Sequence, residues 1–495
     1  MLGVSGLRGI SGASLTPELA ARYAAVVGTF LMERAGGPLP TGDGSGWNQK
    51  AADAVKAGRP VKARVRVVLG FDGRIGGETW YHAASSGLRS AGCDVAMLGA
   101  AMTPTMGVAV DRAGADAGVQ VTASHNPQQW NGMKVLLRAR GLAPGKPDAC
   151  APPKSMADEI VSRFRDGKFT LRAWDGMGLS VGGCAELVDS HRALVMECLG
   201  ALKCVAPIRK RKFRVVLDSV NGSGAQLAAP CLRDELGCAV TALGEEPGRP
   251  FWHTPEPLAG NLGAVARAVK KAKAAVGFCQ DPDADRLALI DEKGRYIGEE
   301  YTLVLAAMAL AEFGLVRKGS VMAVNLSTSR MLEDVAAEHG ARVLRTAVGE
   351  ANVVEAIKTE KCVLGGEGNG GVIWPKVTYI RDSLCAMGLV LALMARTGKS
   401  LSELVGSTPT YAIEKRKVDL AKKEDAQPAV EKLKAAYASE KVDLQDGVRI
   451  DFEGRRAWLH VRASNTEPIM RLIAEAPEVG AARGILDEAA RVIGS

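Results

Sequence analysis

The strongest constraint on how this chain can fold is a pattern that occurs three times: an apolar strand, a polar loop rich in glycine or serine, a helix, and a second strand introduced by glycine. Val65 to Gly70 runs into Phe71-Asp72-Gly73-Arg74, Phe213 to Leu217 into Asp218-Ser219-Val220-Asn221-Gly222, and Val321 to Leu326 into Ser327-Thr328-Ser329-Arg330. The returns Gly92-Cys93-Asp94-Val95, Gly237-Cys238-Ala239-Val240 and Gly340-Ala341-Arg342-Val343 each follow a helical stretch, as glycine closing a helix ahead of a strand predicts. Each unit then offers a further strand ending in a polar loop. Ala117 to Val121 leads to Ser124, Ala274 to Cys279 leads to Asp281-Pro282-Asp283-Ala284-Asp285-Arg286, and Cys362 to Leu364 leads to Gly365-Gly366-Glu367-Gly368-Asn369-Gly370-Gly371. Strands alternating with helices indicate α/β domains, in which ligands sit beyond the carboxyl ends of the strands. Three such ends facing one cleft would make one site.

At 495 residues the chain exceeds a single ordinary core, and length alone suggests roughly three or four domains. After about Ser407 the pattern changes to a charged helix around Lys422 to Ala438, then Gly447 to Phe452, a Glu453-Gly454-Arg455 turn and Ala457 to Val461, which read as antiparallel strands with hairpin chemistry. Before the next apolar run, Ile469 to Ala474, lies Arg462-Ala463-Ser464-Asn465-Thr466-Glu467-Pro468. A guanidinium, two hydroxyls and an amide so close together suit a phosphate, which wants charge and several donors. The stretch 37–62, rich in Gly, Pro and polar residues, reads as a surface insertion.

A net charge of +8 admits nucleic acid, anionic lipid or phosphorylated small molecules as partners. The basic residues are scattered, with Arg209-Lys210-Arg211-Lys212 the one compact cluster, and aromatics make up 5%, so stacking platforms for single strands are not evident. That leaves nucleic acid a minor reading. The ten cysteines form no CxxC pair or zinc-like spacing and read as buried thiols in a reducing cytosol. No signal-like segment opens the chain, and Leu384 to Ala395 is apolar but too short to span a bilayer, so the expectation is a soluble, cytoplasmic protein with no membrane partner.

Asp281, Asp283 and Asp285 alternate, so an extended backbone would throw their carboxylates to one side, whereas a bent loop would converge them on a cation. Oxygen-only ligands point to Mg²⁺ or Ca²⁺. An EF-hand fails because its glycine position is Arg286 and Leu287 to Ile290 reads as strand. Three carboxylates this close repel unless something neutralises them, which favours metal over a solvated acidic turn. Ser124 taken alone reads as part of an Asn-Pro turn. A Ser-His-Asp triad is disfavoured, since His125 is adjacent and its side chain is expected to point away, and no GxSxG elbow is present. Lys134 can equally be a surface lysine, and Glu367 and Asn369 ordinary loop residues.

Together, in this order, the four loops resemble the α-D-phosphohexomutase superfamily over nearly the whole chain. Thr122-Ala123-Ser124-His125-Asn126-Pro127 with Asn131-Gly132-Met133-Lys134 is similar to its phosphoserine loop, Asp281 to Arg286 to its magnesium loop, Glu367 to Gly371 to its sugar loop, and Arg462 to Pro468 to its phosphate loop. Gly6-Leu7-Arg8-Gly9, Asp72-Gly73-Arg74, Ile297-Gly298-Glu299-Glu300 and Asn325 to Arg330 add to the match. The resemblance implies three similar mixed α/β domains around a central cleft, 1–175, 176–297 and 298–407, and a C-terminal α+β domain like the TATA-binding protein, 408–495. It implies a Ser124 phosphoserine, with Mg²⁺ held by that group and by Asp281, Asp283 and Asp285, and Arg8 and Arg286 as cationic stabilisers. Lys134 is the expected general base, with His125 as alternative or phosphate contact; Glu367 and Asn369 would bind sugar hydroxyls, and Arg462, Ser464, Asn465 and Thr466 the non-reacting phosphate.

The expected reaction interconverts hexose 1- and 6-phosphates through a hexose 1,6-bisphosphate that turns around in the site, with glucosamine, mannose and glucose as candidates in that order, and a monomer or homodimer as the enzyme. Where many relatives have Glu-x-Ser-Gly-His in the sugar loop, this chain has Glu367-Gly368-Asn369-Gly370-Gly371, so the histidine is absent and substrate choice is open. This form resembles the variant in archaeal-type phosphomannomutase and phosphoglucosamine mutase sequences. The rival is a non-catalytic sugar-phosphate-binding regulator on the same fold. An aspartyl-phosphate phosphatase would instead need an early nucleophilic Asp pair.

Overall fold

The computed structural model describes residues 2–3, 6–35, 65–463 and 468–494. The expected insertion 37–62 and the phosphate-loop residues Ser464, Asn465 and Thr466 lie outside them.

The threefold pattern folds into three sheets with one shared wiring. In the first, the strands run Trp130–Leu137, Ala117–Val121, Arg66–Phe71, Asp94–Ala100 across the sheet; in the second Leu287–Asp291, Val276–Gln280, Arg214–Asp218, Ala239–Leu243; in the third Gly371–Ile373, Leu364–Glu367, Val321–Asn325, Arg342–Thr346. Three strands of each set are parallel and the one at the end is antiparallel. The antiparallel strand is the return from each polar loop, so each of these three loops is a turn between the last parallel strand and its hairpin partner. Ala117–Val121, Val276–Gln280 and Leu287–Asp291 are buried at every residue, which is why they read as continuous apolar runs instead of alternating ones.

The first sheet is extended by Gly6–Ile10, which pairs antiparallel with Trp130–Leu137 and sets Arg8 opposite Gly132. This register brings the N-terminal arginine beside the strand that carries Lys134. The fourth sheet is antiparallel throughout, in the order Ala412–Asp419, Ile469–Ala476, Ala457–Ala463, Val448–Phe452, Lys441–Asp443. Helices Ala426–Ala436 and Val479–Ile493 pack into its core, the latter through Ala482, Ile485, Leu486, Ala489 and Ile493 at helical spacing.

The apolar stretch around Leu384 forms the helix Ser383–Thr397, buried along almost its whole length in the largest core cluster. Among the described residues no helix is long and apolar enough to cross a membrane. All ten cysteines are free thiols. The N-cap of this helix is Asp382, which accepts from Leu384 N–H at 2.8 Å and takes His191 Nε2 on its other oxygen at 2.9 Å. His191 Nδ1 in turn meets Thr105 Oγ1 at 2.9 Å, so one fully buried ring links three parts of the chain. Leucine at His191 would strand the buried Asp382 carboxylate and Thr105 hydroxyl. We expect a loss of about 3 kcal/mol, seen as a lower thermal midpoint with unchanged secondary structure.

Candidate active site

Ser124 occupies the turn after Ala117–Val121 with φ 51°, a left-handed backbone that costs an L-residue about 1–2 kcal/mol. Buried hydrogen bonds hold it there. Its N–H donates to Thr122 Oγ1 at 2.8 Å, Thr122 Oγ1 donates to Asp72 Oδ2 at 2.6 Å, and Arg74, fixed to Asp72 Oδ2 through Nε at 2.8 Å, donates from Nη2 to the Ser124 carbonyl at 2.7 Å. The Asp72-Gly73-Arg74 loop is therefore a clamp on the serine turn.

The acidic loop is bent, with Ala284 at φ 54°, and carboxylate oxygens of Asp281, Asp283 and Asp285 lie within 4.8 Å of one another. Extended alternation is not what assembles them; the bend is. Ser124 Oγ donates to Asp281 Oδ2 at 3.1 Å, which joins the loops of the first two sheets. Lys134 Nζ, from the strand after Ser124, donates to Asp283 Oδ2 at 2.6 Å and Asp285 Oδ2 at 3.0 Å. Thr103, at the start of helix Thr103–Ala113, donates to Asp283 Oδ2 at 2.7 Å. Arg286 gives Asp281 Oδ1 its backbone N–H at 3.1 Å, and its Nε stands 3.9 Å from Asp285 Oδ1.

All three aspartates are fully buried. Burial, then the charges of Asp283 and Asp285, push the Asp281 carboxyl well above its usual range. Burial works against Asp283 and Asp285 too, but Lys134 holds the first below its ordinary value, and Arg381 with Lys134 holds the second below. Asp283 Oδ1 and Asp285 Oδ1 have no hydrogen-bond partner despite their burial. Orphaned carboxylate oxygens beside a third carboxylate are what a hard divalent cation satisfies, so the donor set fits one.

His125 does not point away from the serine: its Nδ1 lies 3.4 Å from Ser124 Oγ. The left-handed turn removes the alternation that makes neighbouring side chains diverge in extended backbone. Its Nε2 faces Glu256 at 3.8 Å, a half-exposed carboxylate, and burial together with Arg286 and Arg8 lowers its pKa to about 3. The ring is thus neutral at physiological pH. Lys134, for its part, is shifted upward by Asp283 and Asp285 against the opposing effect of burial. A lysine so held carries its proton, which runs against the expected general-base role while these pairs persist.

The third sheet delivers Glu367 at the end of Leu364–Glu367. Its Oε1 accepts from Asn325 Nδ2 at 2.9 Å and its Oε2 from Arg381 Nη1 at 2.6 Å, with Asn369 Nδ2 at 3.5 Å. Asn369 Oδ1 is buried without a partner, an acceptor open to a ligand hydroxyl. From the fourth sheet, Arg462 Nη1 pairs with Asp446 Oδ2 at 2.8 Å. Arg8 is close enough for Asp283 and Asp285 to act on its charge. Ser124, His125, Lys134, Arg8, Arg286 and the aspartates are thus one cluster, which Arg381 connects to Glu367. Thr103, Asp72, Arg74 and Arg381 are the residues that sequence reasoning did not assign to it.

Comparison with known proteins matches four segments of the chain to one family. Segments 47–167, 195–294 and 298–411 match domains I, II and III, described as alpha/beta/alpha, of phosphoglucomutase/phosphomannomutase, and 416–492 matches its C-terminal domain. A phosphoglucomutase/phosphomannomutase of Thermococcus kodakarensis is 34% identical over 98% of this chain and 97% of its own. A probable phosphoglucosamine mutase of Methanopyrus kandleri is 33% identical over 98% and 96%. Among solved structures, a phosphoglucomutase/phosphomannomutase family protein of Burkholderia thailandensis shares the fold at TM-score 0.75 and 24% identity, covering 100% of this chain and 98% of that one.

Proposed function

Since the chain belongs to the phosphoglucomutase/phosphomannomutase family, a family of isomerases, we propose that it moves a phosphoryl group between the 1- and 6-hydroxyls of a hexose by way of Ser124. The observation that carries this reading is the 3.1 Å approach of Ser124 Oγ to Asp281 within a buried acidic cluster that has orphaned oxygens. Phosphorylated Ser124 donates: the Oγ–P bond breaks, a bond forms from phosphorus to the free hydroxyl of the sugar phosphate, and the hydroxyl proton goes to a base. The hexose 1,6-bisphosphate turns around, and its other phosphoryl group returns to Ser124 Oγ.

Asp281, Asp283 and Asp285, with a Ser124 phosphate oxygen, are proposed as the ligands of Mg²⁺. Mg²⁺, when bound there, supplies positive charge that offsets the charge of the transferring phosphoryl group. Arg8 and Arg286 add fixed positive charge on the same side. Glu367 and Asn369 orient the sugar through its hydroxyls, and Arg462, Ser464, Asn465 and Thr466 hold the phosphate that is not reacting, which positions either end of the bisphosphate in turn. Each of the four domains, 1–175, 176–297, 298–407 and 408–495, would supply one of these loops. The candidate hexoses remain glucosamine, mannose and glucose, in that order, and no observation favours the non-catalytic alternative.

For the proton, neutral His125 beside Ser124 Oγ is the acceptor this geometry supports, with Lys134 as a charged donor toward phosphate. His125→Gln should then lower kcat about a hundredfold. Because the histidine pKa is lowered to about 3, it is protonated only below that value, so an ionisation near 6 in the native kcat/KM profile belongs to phosphate, whose second pKa is about 6, and should persist in His125→Gln. Native-like kcat in His125→Gln would overturn the acceptor role, and an ionisation near 6.5 that disappears in that variant would overturn the lowered pKa. The reaction itself is tested by supplying glucosamine, mannose and glucose 1-phosphates with catalytic bisphosphate and Mg²⁺. Formation of the 6-phosphate, lost on adding EDTA, is the expected result, and release of inorganic phosphate instead would sink it.

A further inference from the structure

Arg381 belongs to none of the four loops, yet it is the side chain that ties two of them together. It lies between strand Gly371–Ile373 and helix Ser383–Thr397, 7% exposed. Its Nη1 donates to Glu367 Oε2 at 2.6 Å and its Nη2 to Asp285 Oδ2 at 2.7 Å, with Glu350 Oε2 3.4 Å from Nη2. A planar fork can hold carboxylates from two loops at a fixed angle; a lysine ammonium, a point charge on a flexible stem, cannot do so equally well.

Gly371 makes the room. A Cβ built there would overlap Arg381 Cδ and stand 2.8 Å from its Cγ, closer than real Cβ atoms come to anything. No backbone requirement explains this glycine: it is paired in the sheet opposite Glu367 and is not among the positive-φ residues. The missing side chain is therefore a steric matter. The backbone next to Arg381 is held by other means, since Asp382 N–H donates to the Val372 carbonyl at 2.8 Å and Asp382 caps the following helix and meets His191. Loss of the guanidinium leaves those bonds in place.

We propose that Gly371 and Arg381 act as one specificity element, in which the empty position at 371 admits the aliphatic stem of Arg381, whose guanidinium fixes Glu367 toward the sugar and locks it to the acidic loop. This rests on the phosphohexomutase reading of the site and deepens it. Arg381 is a positioning residue: it sets how the Glu367 carboxylate meets the sugar, and any side chain at 371 would evict it.

The test is a cycle of Gly371→Ala, Arg381→Gln and the double variant, with Arg381→Lys alongside. Calorimetric binding of glucose, mannose and glucosamine 6-phosphates should weaken about tenfold in Arg381→Gln, with KM rising by a similar factor and kcat falling less. Gly371→Ala should reproduce that loss, the double variant should be no worse than either single one, and Arg381→Lys should recover part of the affinity. Native-like binding by Gly371→Ala, or a double variant whose losses multiply, would overturn the steric pairing. A fall in kcat with KM and binding unchanged, or full recovery by lysine, would overturn the positioning role. A native protein that binds these sugar phosphates without converting them would refute the mutase reading, and the binding cycle would still decide the pairing.

Discussion

Ser124→Ala should leave a folded protein that binds Mg²⁺ and sugar phosphate but interconverts none of the three hexose phosphates, a loss of at least about 10⁴-fold. The structural argument is that, among the described residues, no other hydroxyl of the cluster is free to carry the group. The neighbouring hydroxyls, Thr122 Oγ1 and Thr103 Oγ1, are spent on Asp72 and Asp283, and Ser124 Oγ is the hydroxyl that approaches Asp281. Stability should change little. The left-handed turn is held by the Ser124 N–H and carbonyl, both of which alanine keeps, and the hydroxyl removed is bonded to a carboxyl that burial already biases toward its neutral form. Intact-mass measurement after incubation with hexose bisphosphate should show one added phosphate on the native chain and none on the variant. Native-like turnover by Ser124→Ala would remove the serine from the mechanism altogether.

The wiring of the three sheets was legible because their central strands are buried on both faces, so each of these appears in the sequence as an apolar run stopped by glycine, aspartate or serine. The site loops were legible for the same reason: they are the stops. Their hairpin returns, Trp130–Leu137 and Leu287–Asp291, were harder to place, since a strand alone does not declare whether it runs parallel or antiparallel. Single residues that reach the site from elsewhere left no signal. Thr103 heads a helix, and Arg381 lies beyond the sugar loop, where a lone arginine reads as surface charge. The orientation of His125 was misread because the alternation rule assumes extended backbone, and Ser124 is not extended. The sugar-loop departure is the most instructive case. A glycine where many relatives carry histidine looks in the sequence like a loss, whereas in the fold the space beside it is taken by the aliphatic stem of Arg381, from further along the chain. A motif comparison registers the residue that is missing at a position, but not the side chain that comes to occupy its volume.

Asp281→Asn should abolish turnover, by about a thousandfold or more, and yet make the metal-free protein more stable near neutral pH. The Asp281 carboxyl is buried between two other carboxylates, and burial foremost holds its pKa well above the ordinary 3.8. With the folded-state pKa raised above the unfolded one, folding takes up a proton, so the group's contribution to stability is fully present below the unfolded value and is lost as pH rises through the folded one. Near pH 7 to 8 in EDTA the native chain therefore bears a cost that asparagine, of nearly the same shape, escapes. Asp283 and Asp285 have the opposite sign: their pKa values are depressed, so their contribution is present above the ordinary carboxylate range and lost as pH falls through the folded values. Asparagine at Asp285 would leave Lys134 and Arg381 short of a counter-charge, and should cost about 3–5 kcal/mol. Thermal midpoints in EDTA across pH 5 to 8 separate the two variants, with Asp281→Asn above the native protein at the upper end and Asp285→Asn below it throughout. Adding Mg²⁺ should then raise the native midpoint, because a cation offsets the crowding of negative charge, and leave Asp281→Asn nearly unmoved. If Asp281→Asn melts lower than the native chain in EDTA at about pH 8, the charge assignment within the cluster is wrong. If it responds to Mg²⁺ as the native chain does, Asp281 is not a ligand.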